Sequence, residues 1–184
     1  MNSIYVIHTP YHLLITCGLA ISYDCSNEKY LVIVPDFKDA TVFYQTIIDW
    51  KDNPFTEVIL LSGVYNVKFG NTIKTMKSNL KTINQLFRKK IKDCGSSYIF
   101  NDGRVEGQLI AYLNYTKNGS NFYVEDGSAA YNCYVQPDIN FYLKIIYKLI
   151  YGSWYEHVRI LGMYKYIDRI MVFRPDLIRK ELQN

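Results

Sequence analysis

Short β-branched runs alternate with longer helical patterns along the whole chain, and no other feature restricts the fold as much. The runs predict strands at Ile4 to Ile7, Tyr30 to Val34, Val58 to Leu61, Tyr98 to Phe100, Phe122 to Val124 and Ile170 to Phe173. Strands of this kind separated by helices are the pattern of βα units around a mostly parallel sheet. Thr9 has the side chain to cap a first helix and Pro10 fits its first position, with Leu13, Leu14, Cys17 and Ile21 expected on its buried face. A second stripe, Ile73, Met76, Leu80, Ile83 and Phe87, predicts a helix whose other face carries Lys74, Lys77, Lys81 and Arg88. That basic row is read as the solvated face of the helix. Further helices are expected from Gln108 to Asn114 and from Phe141 onward.

At 184 residues the chain has room for one sizeable domain. The four cysteines, Cys17, Cys25, Cys94 and Cys133, are widely spaced without a CxxC and read as reduced thiols of a cytosolic protein. The apolar amino end lacks a basic n-region and is interrupted by His8, Pro10 and His12, which argues against a signal peptide. Without secretion the sequons at Asn114 and Asn118 imply no glycan. A net charge of +4 is too small to indicate nucleic acid as a partner.

Open α/β sheets bind ligands beyond the carboxyl ends of their strands. Three loops expected there carry chemistry: "IHTPYH", "FNDGRVEG" and "VEDGSAAY". Chain order alone brings His8, His12, Asn101, Asp102, Arg104, Glu125 and Asp126 to one rim. Neither GxGxxG nor GxxxxGK[ST] occurs, which weakens a nucleotide-binding reading, and no GxSxG marks a nucleophile elbow. Glu125 and Asp126 are open to two readings, a hydrophilic turn relieved by Gly127 or a general base facing an acceptor hydroxyl. Because adjacent residues diverge, only one of the two would face a reacting centre. His8 and His12 straddle a strand end and a helix start, so a metal pair is not secured; His12 is placed to reach a substrate oxygen or a backbone carbonyl. His157 reads as a surface or packing residue.

"YVIHTPYHLLI", "IFNDGRVEGQLIAYL", "FYVEDGSAAY" and "IDRIMVFRPDLI", in that order, resemble the N-terminal half of bacterial sialyltransferase-like enzymes of glycosyltransferase family 52, over almost the whole chain. The family includes lipooligosaccharide sialyltransferases and is similar in motif logic to bacterial polysialyltransferases. The resemblance implies a GT-B architecture of two Rossmann-like halves facing across a cleft, helices on both faces of each sheet, with residues 1–184 as the single acceptor-side domain. It nominates Asp126 of the "EDG" motif as catalytic base, with Glu125 beside it. On this reading His8, Thr9, Pro10, His12, Asn101, Asp102, Gly127 and Ser128 contact substrate. It implies CMP-sialic acid as donor substrate, inversion in one displacement, no metal and no other cofactor. The partners expected are a glycan or glycolipid acceptor and a second half supplying the CMP-sugar site. The family's His-Pro motif for the donor phosphate is absent here, since the sequence holds no His-Pro dipeptide. A non-catalytic glycan- or partner-binding module is the competing expectation. The helix beginning at Phe141, with Lys144 and Lys148 one turn apart, is expected either to pack in the core or on the second half, or to rest on the inner face of the cell membrane.

Overall fold

The computed structural model describes residues 1–63 and 69–183. Six strands form one all-parallel sheet: β1 (Asn2–Ile7), β2 (Glu28–Ile33), β3 (Glu57–Leu60), β4 (Cys94–Ile99), β5 (Ser120–Val124) and β6 (Arg169–Met171). Their spatial order is β3-β2-β1-β4-β5-β6. The chain thus winds outward from β1 in one direction and then returns to wind from β4 in the other, which makes the fold Rossmann-like and α/β, as the sequence leads one to expect. All six strands fall where the β-branched runs predict them. β6 stops short of the expected Phe173, whose side chain is exposed.

The central strands are apolar on both faces because both faces are covered. Ile4, Val6, Val32 and Ile99 point to one core with Leu80, Ile83 and Phe87 of α3 (Phe69–Lys89) and Leu109 and Ile110 of α4 (Val105–Tyr115). Tyr5, Ile7, Leu31, Tyr98 and Phe100 point to the other, with Leu13 and Ala20 of α1 (Pro10–Ser22) and Ile47 of α2 (Ala40–Asp49). Each step along a strand therefore changes core, the period of two that places successive side chains on opposite faces. Tyr5 stacks on Tyr98 across the β1–β4 pair, with ring centroids 4.6 Å apart.

α1 starts as its sequence dictates. Thr9 Oγ1 accepts from the His12 amide at 3.2 Å and Pro10 opens the helix. Its buried face differs from the expected one: His12, Leu13, Thr16 and Ala20 face inward, whereas Leu14 and Ile21 are exposed. Stripes at 13/17/21 and at 13/16/20 lie side by side on a helix, and the second puts small side chains against the sheet and turns His12 inward. α2 was not legible as a helix amid Thr41, Val42, Thr46, Ile47 and Ile48, although a parallel β2–β3 connection needs one and Ala40, Phe43, Tyr44 and Ile47 keep helical spacing.

Between β5 and β6 the chain makes a short 3-10 turn (Gly127–Ala130) and then α5 (Phe141–Tyr151). α5 is capped by Asn140, whose side chain accepts from the Tyr142 amide. It does not become a core helix: none of its side chains is buried, and Phe141, Tyr142, Ile145, Ile146 and Leu149 form an exposed apolar face. Only Tyr147 and Tyr151 lean on the core beneath. Among the described residues no helix is long and apolar enough to cross a membrane.

Candidate functional site

β1 and β4 are neighbours in the sheet, although two strands and three helices separate them in the chain. Beyond their carboxyl ends the chain turns to opposite faces of the sheet, into α1 after β1 and into α4 after β4, and such a switch point is the usual ligand position in sheets of this kind. The loop after β1 brings His8 and Thr9 there, the loop after β2 brings Asp36, the loop after β4 brings Asn101 and Arg104, and the loop after β5 brings Asp126.

His12 and Asp126 meet at this rim. His12 Nε2 lies 2.7 Å from Asp126 Oδ1, and the imidazole is stacked on Phe100 with centroids 4.5 Å apart. The other ring nitrogen, Nδ1, accepts from the backbone N–H of His8 at 3.2 Å. An amide can only donate, so Nδ1 carries the lone pair and Nε2 carries the proton it gives to Asp126. Both nitrogens are therefore occupied, and the His12 side chain is 1% exposed against 25% for Asp126. Asp126 is the member of the pair that an outside molecule can reach. Gly127 follows with φ +54°, in the left-handed region that favours glycine, and nothing crowds the position a Cβ would take.

Glu125, adjacent in sequence, is buried and turned the other way. Its Oε2 accepts from the Phe173 amide at 2.9 Å and from the Tyr131 hydroxyl, whose oxygen in turn accepts from the Arg174 amide at 3.1 Å. This carboxylate ties β5 and the 3-10 turn to the segment after β6, which gives it a structural task in place of the catalytic one nominated for it. Asp102 departs from expectation in the same way. It is 0% exposed, and its carboxylate accepts from the amides of Gly162 (2.9 and 3.0 Å) and Tyr164 (2.9 Å). Burial pushes its pKa up to about 6 against the opposing pull of those N–H donors. A carboxylate sealed under the carboxyl-terminal segment is out of reach of substrate, so Asp102 is corrected from a substrate contact to an anchor of that segment.

The remaining expected contacts divide by task. Thr9 and Pro10 build the start of α1. Asn101 closes its own turn, its Oδ1 accepting from the Gly103 amide at 3.1 Å. α4 begins tight against this loop, since a Cβ on Gly107 would lie 2.8 Å from the Asn101 carbonyl oxygen. Ser128 is exposed beside Asp126. His157 Nε2 lies 2.9 Å from the Pro137 carbonyl oxygen, a packing contact away from the rim.

Asp36 belongs to the site and the sequence did not single it out. Its Oδ2 lies 3.4 Å from His8 Nδ1 and accepts from Arg104 Nη2. The cluster draws on three loops whose order in the sheet cannot be read from residue spacing. The only sequence signal was an acid two residues after the Tyr30 to Val34 run, in "VPDF". Cys17, Cys25 and Cys133 are free thiols. Among the described residues no three metal-ligating side chains come together. No protein-family model and no curated protein matches the chain.

Proposed function

We propose that the chain is the acceptor-side half of a sialyltransferase-like glycosyltransferase, in which Asp126 takes the proton from an acceptor hydroxyl. The oxygen of that hydroxyl attacks the anomeric carbon of CMP-sialic acid on the face opposite the phosphate. As the new C–O bond forms, the bond to CMP breaks and the nucleotide leaves with the electron pair, inverting the centre. The donor site lies on a second half outside residues 1–184.

The observation that carries this reading is the His12–Asp126 pair. A base in such a displacement must be ionised, reachable and aimed. The Nε2–H bond from a neutral, stacked imidazole holds one carboxylate oxygen and leaves the other for substrate. The amino-end motif and the "EDG" motif, which carry the resemblance to family 52, are the segments that supply these two residues. CMP is already a good leaving group, so the protein's main task is orientation and charge stabilisation, with base catalysis adding roughly 10² to 10⁴ in rate.

The exposed apolar face of α5, edged by Lys148, supports a further element of the reading: a peripheral position on an anionic membrane surface, where a glycolipid acceptor would be presented.

The test is transfer from CMP-sialic acid to a galactose-terminated acceptor, with and without a separately expressed donor-binding half. Transfer that falls by roughly 10² to 10⁴ in Asp126→Asn supports the assignment. Near-normal turnover in that variant removes Asp126 as base. Acceptor binding without transfer under any pairing favours the non-catalytic glycan-binding module instead.

A further inference from the structure

We infer that His8, Asp36 and Arg104 form a subsite for one sugar ring, bound through adjacent hydroxyls, beside the His12–Asp126 pair. That the ring is the acceptor's rests on the transferase reading; that the site takes hydroxyls does not.

Three buried polar atoms in this one hydrogen-bonded cluster have no partner among the described residues: His8 Nε2, Asp36 Oδ1 and Arg104 Nε. Buried polar groups are nearly always paired, because one left open keeps the full cost of its desolvation. Their chemistry is mixed. His8 Nδ1 faces the Asp36 carboxylate, which can only accept, so in the neutral ring Nε2 is an acceptor; Asp36 Oδ1 is an acceptor; Arg104 Nε is a donor. A phosphate or carboxylate would satisfy Arg104 but meet two lone-pair acceptors. An ammonium group would satisfy those two but meet the guanidinium. A pair of hydroxyls, each both donor and acceptor, satisfies all three.

Arg104 also lines a cavity of about 260 Å³ with Gly103, Met76, Tyr147, Tyr151 and Tyr155. The three tyrosine rings sit together, with Tyr151 and Tyr155 centroids 5.3 Å apart and Tyr147 and Tyr155 5.7 Å apart. Arg104 is the one member of the cluster that lines this cavity, and it joins the polar groups to aromatic faces, a combination that suits a ring with one apolar and one hydroxylated aspect. The volume falls below the roughly 300–1,000 Å³ of pockets for drug-sized ligands, so it suits a single ring. The cluster stands beyond the carboxyl ends of β1, β2 and β4, the edge of the sheet at which folds of this strand order bind ligands.

The test follows the Arg104 Nε–H resonance by NMR while the chain is titrated separately with methyl β-galactoside, methyl β-glucoside, methyl α-mannoside, inorganic phosphate and methylammonium. At least one glycoside is expected to move that resonance with a millimolar Kd, and Asp36→Asn and Tyr147→Ala are each expected to weaken the binding about tenfold or more. A response to phosphate or methylammonium that exceeds every glycoside overturns the inference, as does no response to any of the five. The unaltered chain separates the two readings: glycoside binding there, with no transferase activity in any pairing with a donor-binding half, sinks the transferase and keeps the subsite. Transfer by the complete enzyme with an unchanged acceptor KM in Asp36→Asn sinks the subsite and keeps the transferase.

Discussion

His12 and Asp126, 114 residues apart in the chain, are joined by a 2.7 Å hydrogen bond in which the imidazole can only be the donor. The direction follows from the far side of the ring, where the His8 amide holds Nδ1 as an acceptor at 3.2 Å. Long-range proton–nitrogen NMR at neutral pH is expected to show His12 with a bare Nδ1 and a protonated Nε2. A protonated Nδ1 would mean that the His8 amide does not hold the ring, and the orientation argued for Asp126 would fail with it.

The two adjacent carboxylates are expected to separate cleanly in stability measurements. Glu125→Ala leaves the Phe173 amide and the Tyr131 hydroxyl without their acceptor, and a loss of about 2–3 kcal/mol in chemical denaturation is expected. Asp126→Ala removes a partly exposed side chain with one hydrogen bond to the protein, and about 1 kcal/mol or less is expected. The reverse order of the two losses would mean that Asp126, not Glu125, holds the loop together.

Asp102 gives the protein a stability term that falls as pH rises. Its folded pKa, raised to about 6 by burial, lies above the usual 3.8, so the native state binds the proton more tightly than the unfolded chain does. The contribution is fully present below about pH 4 and is lost as pH climbs through about 6, a change of up to about 3 kcal/mol. Asp102→Asn cannot ionise, so the wild-type stability minus that of the variant is expected to decline across this window. A difference that stays flat, or rises, would show that the Gly162 and Tyr164 amides outweigh burial.

The apolar face of α5 is expected to bring weak binding to anionic liposomes that falls with added salt. Each lysine near such a surface adds about 1 kcal/mol, while the larger share comes from apolar side chains entering the interface. Lys144 also bonds to Asp138 at 2.7 Å, so Lys148→Gln is expected to weaken sedimentation with liposomes more than Lys144→Gln does. Ile145→Asp should abolish it. No binding at low salt, or binding indifferent to all three changes, would leave this face to a protein partner.

The local sequence determined the strands, the start of α1 and the gathering of three loaded loops on one rim. These are short-range properties: alternation along a strand, a threonine before a proline, and chain order around a parallel sheet. It also showed that only one of Glu125 and Asp126 could face outward, because successive side chains diverge. Which one does so was decided by tertiary structure. Glu125 meets an amide donor 48 residues further on and Asp126 meets an imidazole 114 residues back, and neither partner can be inferred from spacing. The same holds for Asp36 and for Asp102, one drawn into the site by Arg104 and the other sealed away by Gly162 and Tyr164. A carboxylate's role depends on whether donors or water surround it once the chain has folded, and those surroundings are assembled by contacts far apart in sequence.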